Sequence, residues 1–116
     1  IKEINKNEFI GYNQTFKTRK KIKVAIIGIG YADGLSRVLS NKGEVYYKDK
    51  SYKIIGRVSM DSITIDITKN DKEIKEGVYV ELINHEYGID YLAKKSKTIC
   101  DEVLTSISKR VKRVYI

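Results

Sequence analysis

Along the first two thirds of the chain, apolar residues recur with strand periodicities between turn-forming segments. Ile22 to Ile29 (IKVAIIGI) is an apolar run long enough for a buried strand. Ser62 to Ile67 (SITIDI) and Val78 to Ile83 (VYVELI) alternate polar and apolar residues, the period of a half-buried strand. Phe9 to Phe16 carries aromatic and threonine residues and reads as a further strand. Glu44 to Tyr47 and Tyr52 to Val58 flank Asp49-Lys50-Ser51, which suits a hairpin tip. Gly28, Gly30 and Gly34 mark a strand end and a turn, Asn41-Lys42-Gly43 another turn, and Lys69 to Gly77 a polar connection.

The pattern then changes. Ile89, Leu92 and Ala93 lie at helical spacing, with Asp90 placed to support the first turn. Thr98-Ile99-Cys100-Asp101 resembles a capping box with Asp in place of Glu, followed by an apolar helical face of Val103, Leu104 and Ile107. Val111, Val114 and Ile116 suggest a short closing strand. This order predicts a mostly β fold, an antiparallel barrel or sandwich with two short helices near the C-terminus. Without an internal repeat, low-complexity tract or Pro-rich linker, residues 1–116 read as one domain.

Composition narrows the classes. A chain of 116 residues buries roughly two thirds of the surface its unfolded form exposes, enough for a core of its own. Apolar residues at 41% and nine tyrosines argue against disorder. The longest uncharged apolar stretch, Val24 to Ala32, falls well short of the ~20 residues of a membrane helix. The opening is lysine-rich rather than apolar and carries no secretory signal; with isoleucine first, the chain is expected to be a piece of a longer protein. A single cysteine excludes an internal disulfide and a Cys-only metal cage and predicts a reducing, cytoplasmic compartment. The net charge of +8 admits a basic β-barrel that binds nucleic acid. The other account of that charge is an AT-rich genome, whose codons favour Lys, Ile, Asn and Tyr together. The lysines are spread along the chain apart from Arg19-Lys20-Lys21 and Lys109 to Arg113.

Few residue patterns point to chemistry unaided. Gly28-Ile29-Gly30-Tyr31-Ala32-Asp33-Gly34 has neither the dinucleotide nor the Walker spacing and reads as a turn. His85 and Cys100 are the sole histidine and cysteine, so no metal is expected. His85 reads as an exposed loop residue, and Cys100 as a small apolar packing group rather than a nucleophile. Tyrosine, with a pKa of about 10, serves as a base near neutrality only beside a cation or strong donor. Composition does not say which tyrosine is so placed.

Five segments taken in series resemble the C-terminal domain of alanine racemases, the pyridoxal-phosphate enzymes that interconvert L- and D-alanine. Gly11-Tyr12-Asn13-Gln14-Thr15-Phe16 is similar to the family's V-x-Y-G-x-T-[FY] segment. Gly30-Tyr31-Ala32-Asp33-Gly34 with Arg37 resembles G-Y-[AG]-D-G-x-x-R, and Leu39 to Val45 follows. Ile54 to Asp61 (IIGRVSMD) resembles I-V-G-R-V-x-M-D-Q. The last matches are Thr98 to Thr105 and Ile107 to Tyr115.

The resemblance implies the mostly-β domain that follows an eight-stranded α/β barrel, the barrel being absent from these 116 residues. That barrel would carry the lysine and most contacts to the cofactor, pyridoxal 5′-phosphate, so this segment by itself would be inactive. The active site would lie between the barrel of one subunit of a homodimer and this domain of its partner. Tyr12 matches the family's catalytic tyrosine, the base on the face opposite the lysine. Racemisation removes the α-proton from one face and returns one to the other, through a carbanion the cofactor delocalises, and so needs two bases. By the same resemblance, Met60 places its backbone N–H near the substrate carboxylate with Asp61 beside it. Tyr31, Arg37, Arg57 and Ile107 line an access corridor whose cations attract an amino-acid carboxylate.

Four positions depart from the family pattern. Asn13 replaces a glycine, Ser62 a glutamine, Lys112 a proline, and Lys109 stands where some members place a tyrosine that reaches the cofactor phosphate. Lys109 is thus the cofactor-contact candidate, and its change keeps serine racemase, including membrane-tethered relatives, beside alanine racemase. The implied role is an isomerase supplying D-alanine for cell-wall peptidoglycan. No nucleic-acid partner is expected on that reading. The nucleic-acid barrel instead predicts a continuous aromatic and basic face.

Overall fold

The computed structural model describes residues 1–5, 9–10, 16–17, 20–70 and 72–114. Among these residues there are seven strands: β1 Lys2–Ile4, β2 Phe9–Ile10, β3 Phe16–Lys17, β4 Ile22–Ile27, β5 Glu44–Tyr47, β6 Lys50–Ile55 and β7 Ile63–Asp66. Two helices follow, α1 Ile89–Lys95 and α2 Cys100–Ser106. The main sheet has five strands in the order β1-β4-β7-β6-β5, and every pairing in it is antiparallel. Strands β2 and β3 pair separately as a short antiparallel ribbon. The mostly β, antiparallel class with two short helices near the C-terminus is as the residue pattern predicts.

Within the apolar run of Ile22 to Ile29, β4 is covered on both faces around Val24 and Ala25, whereas Ile26 is exposed. Ala25 joins the main core with Tyr52, Ile54, Ile63, Ile65 and Ile67. Ile22 and Val24 pack on the opposite face with Ile4 and Ile55. On β7 only Ile63 and Ile65 are buried while Thr64 and Asp66 are not, so SITIDI does alternate as its period indicates. Complete burial of a side chain such as Ile54 or Ile65 stabilises the fold by about 1.5–3 kcal/mol.

Several local expectations fail, each for a physical reason. The β5–β6 hairpin turns at Lys48-Asp49, not Asp49-Lys50-Ser51, with both residues at positive φ (48° and 66°). Two positive-φ residues make a tight two-residue turn, usually marked by Asn-Gly or Asp-Gly; neither signal is present. Val78 to Ile83 keeps its alternation, and Val78, Val80 and Leu82 lean on the core while Tyr79 is exposed. It forms no strand, because its ladder consists of a single bridge between Tyr46 and Glu81. Alternation sets which face a side chain takes, whereas a strand also needs a partner edge. Residues 111–114 form no strand either. The Arg113 guanidinium donates to the carbonyls of Ser108 and Val111 at 2.7 and 2.6 Å and folds that segment on itself.

Helix α2 is capped at Ile99 without a side-chain hydrogen bond, so Thr98 is not its cap. Its buried face is Val103, while Leu104 stays exposed. Strand β1 is an element the pattern does not announce, being three residues with one buried side chain. The expected strand from Phe9 to Phe16 is described only at its ends, in β2 and at Phe16 in β3; residues 11–15, Tyr12 among them, lie outside the described residues.

Candidate functional site

One end of the molecule gathers three loops that are far apart in sequence. The first follows β4, where Tyr31–Asp33 form a single 3-10 turn. The second is the loop after β6 that holds Ser59, Met60 and Asp61, and the third leaves α2 at Ile107. Backbone hydrogen bonds stitch the first two together. The Tyr31 N–H donates to the Ser59 carbonyl at 2.9 Å and the Ala32 N–H to the Met60 carbonyl at 3.0 Å.

Two glycines permit this approach. A Cβ on Gly30 would overlap the carbonyl oxygens of Ser59 and Met60, which are backbone atoms unable to swing aside. Gly34 lies at φ +112°, where a side chain is strained, and a Cβ there would sit 2.9 Å from the Ile107 Cα. The third loop is tied in by the Ser108 N–H, which donates to the Asp33 carbonyl at 3.1 Å. Asp33 also accepts the Gly30 N–H on its Oδ2 at 2.9 Å, closing the turn.

Most of the candidate residues meet here. Tyr31, Arg37, Ser59 and Met60 line a depression of about 260 Å³. Tyr31 and Met60 are exposed, and the Arg37 guanidinium lies 5.9 Å from the centre of the Tyr31 ring, within cation–π range. Arg57 shares with Arg37 a second depression of about 470 Å³, whose lining also includes Lys42 and Lys97 and no acidic residue. Loop 40–42 is pinned beneath it: the Asn41 Oδ1 accepts the Gly56 N–H at 2.6 Å and the Ser40 Oγ the Val58 N–H at 2.9 Å. Four cations around an open hollow, undiluted by carboxylates, favour an anion approaching it. The Met60 amide N–H donates to no acceptor among the described residues. With Met60 about half exposed, the residue is not core filler.

Asp61 does not pair with Arg57. Its carboxylate takes the Arg110 Nη2 at 2.6 Å, while the Arg110 Nε binds the Asp33 Oδ1 at 2.7 Å. The hydrogen bond to Asp61, then the charges of both carboxylates, raise the Arg110 pKa above its ordinary value. Ile107 caps the end of α2 beside Gly34, and Lys109 is exposed next to Arg110. Arg110 and the double role of Asp33 are what sequence reasoning misses. Both stand inside quoted motifs, but nothing in a motif says that one arginine reaches two carboxylates from different loops.

Elsewhere the chemistry is quiet. The Cys100 thiol donates to the Asp90 carboxylate, which raises its pKa, so it is a hydrogen-bonded polar group rather than an apolar packer and is not activated. His85 is exposed in its loop. The described residues include no group of three or more His, Cys, Asp or Glu that could hold a metal ion. Tyr46 and Tyr87 stack at 4.8 Å and Tyr87 meets Tyr91 at 5.0 Å, so these rings are occupied with one another.

The mostly β domain thus presents its candidate residues on an open rim, at the edge of the fold rather than in a closed cavity. The comparisons with known proteins specify which kind of domain this is. Residues 1–115 match the family described as alanine racemase, C-terminal domain, and the chain belongs to that family. The chain is 41% identical over 117 residues to the alanine racemase of Brucella ovis, covering all of this chain and 30% of that protein. It is 43% identical over 120 residues to alanine racemase 2 of Caldanaerobacter subterraneus, again covering all of this chain and 31% of that protein. Among solved structures, alanine racemase from Bartonella henselae with covalently bound pyridoxal phosphate superimposes with a TM-score of 0.95 at 43% identity. That match covers 99% of this chain and 32% of the other. The chain thus spans about a third of the length of the proteins it matches.

Whether these residues could themselves hold pyridoxal phosphate is a question of donors. A resident cofactor of this kind bonds to a lysine amine in a sheltered pocket. No lysine among the described residues is buried, and the one candidate, Lys109, is exposed. The described residues do not fit a resident cofactor; they make a rim rather than a cradle.

Proposed function

We propose that this chain is the C-terminal domain of a pyridoxal-phosphate-dependent alanine racemase, one that completes the active site of a homodimer by adding its rim to the partner subunit's barrel domain. The observation that carries the proposal is the convergence of Tyr31, Arg37, Arg57, Met60 and Ile107 on one end of the fold, from three loops of a chain that belongs to this family.

The work of the chain follows from its own groups. Arg37 and Arg57 draw the carboxylate of an amino acid toward the rim, and the free Met60 N–H offers it a donor. Tyr31 and Ile107 shape the corridor, and Asp61 holds the Met60 loop through Arg110. Tyr12 exchanges a proton with the α-carbon on one face, and a lysine of the barrel domain serves the other. A phenol of pKa about 10 does this near neutrality only if a cation in the assembled site stabilises its phenolate. Lys109, by its position in the family motif, would contact the cofactor phosphate held by the barrel domain. The product, D-alanine, would serve peptidoglycan synthesis in the cytoplasm.

The experiment is a racemase assay of the full-length protein with added pyridoxal phosphate, using both enantiomers of alanine and of serine. Cofactor-dependent turnover of alanine is the expected result, and turnover of serine alone would reassign the substrate. Inactivity with both would overturn the proposal. In the same protein, Tyr12→Phe is expected to cut deuterium wash-in from one enantiomer by a factor of at least about 100 and from the other far less. Equal loss from both would remove Tyr12 as a one-face base.

A further inference from the structure

We infer that Arg110 is a positioning residue of the rim: it clamps the Met60 loop to the Tyr31 turn and so sets where the free Met60 N–H stands. This inference rests on the racemase reading for its consequences in catalysis.

Among the described residues, the Arg110 side chain bonds to both loops. Its Nε binds Asp33, its Nη2 binds Asp61, and the two aspartates lie on segments separated by more than twenty residues. Asp33 is the more sheltered of the two, 12% exposed against 62% for Asp61. It is held on its other oxygen by the Gly30 N–H. Asp33 is therefore the fixed post and Asp61 the tethered end, so the tension of the clamp falls on the 59–61 loop.

Arg110 is itself aimed by its neighbours. The Ser108 N–H anchors its segment to the Asp33 carbonyl, and Arg113 gathers the carbonyls of Ser108 and Val111 behind it. A planar fork that spans two carboxylates fixes direction as well as distance, which a lysine's single ammonium cannot do. The clamp also neutralises charge. Without Arg110, two carboxylates would stand uncompensated beside the donor meant for an anionic substrate.

The test uses the full-length protein and two readouts. Arg110→Gln is expected to raise KM for alanine on the order of tenfold, as expected for a displaced contact group, with kcat changed by less than about threefold. Arg110→Lys should recover part of that loss, by restoring charge without the fork. Amide hydrogen exchange should quicken across residues 30–34 and 59–62 in Arg110→Gln while β6 and β7 keep their protection. Unchanged KM and unchanged exchange in the rim would overturn the inference. So would exchange that quickens equally in the sheet, which would make Arg110 a general stabiliser. If the unaltered protein racemises nothing, the function proposed above falls, whereas the exchange comparison still decides whether the clamp exists.

Discussion

The sheet and the rim are built from the same short chain on opposite principles. In the sheet, Ile54, Ile63, Ile65 and Val45 are buried almost completely, and regular antiparallel ladders satisfy the backbone. In the rim, Tyr31, Met60 and Asp61 are exposed. Its shape comes from backbone contacts between loops, from two glycines with no room for a side chain, and from one arginine shared by two aspartates. The sheet is held by non-directional burial, which tolerates exchange of one apolar residue for another of similar volume. The rim is held by directional contacts at fixed distances, which do not. The proposed function would need both, because exposed groups keep their places only if something rigid lies beneath them.

That contrast can be broken from either side. Ile65→Ala removes a fully buried side chain from the centre of the main core and should cost about 2–5 kcal/mol of unfolding free energy, read by denaturant titration. The same variant, once folded, should keep its KM. A rim that shifted with it would show that the two regions are not separable.

Gly30→Ala is the mirror experiment. Its Cβ meets backbone oxygens of Ser59 and Met60, so the loops must part. The expected cost in stability is about 1–3 kcal/mol, smaller than that of Ile65→Ala. The expected loss in kcat/KM of the full-length protein is much larger, up to roughly a hundredfold. Loss of stability without loss of kcat/KM would mean that the approach of these loops is not what shapes the rim.

The smallest effect concerns pH. Burial, and then the charge of Glu44, push the Tyr46 phenol up to about 12 from its usual value near 10. The folded chain therefore binds this proton more tightly than the unfolded chain does, and the associated stability is present in full below about pH 10. It should fall progressively as pH rises toward 12, and Tyr46→Phe should flatten that decline. A decline of the same slope in the variant would place the alkaline sensitivity elsewhere. Since Tyr46 belongs to the sheet side, rim exchange rates should not follow this transition.

Legibility in the sequence follows the same division. The period-2 pattern of Ser62 to Ile67 and the apolar run at Ile22 survive as β7 and β4, because burial of a face is written in the residues that fill it. The helices at Ile89 and Cys100 survive for the same reason. The turn at Lys48-Asp49 was not legible, since its two positive-φ residues are not the usual ones. Val78 to Ile83 alternates correctly and still forms no strand, because pairing depends on an edge supplied from elsewhere.

In the rim, the motifs name the residues without their contacts. Nothing around Asp61 in sequence distinguishes Arg57 from Arg110 as its partner, and only the folded backbone, which brings the end of α2 against Gly34, selects Arg110. Local periodicity, which acts between neighbours in the chain, lets the sequence alone determine the class of fold and the buried strands, and the motifs in series carry the resemblance to the family. Which loop meets which and where Arg110 reaches were decided by the tertiary structure. Those contacts join residues distant in sequence, and their geometry exists only once the sheet has brought the loops to one end.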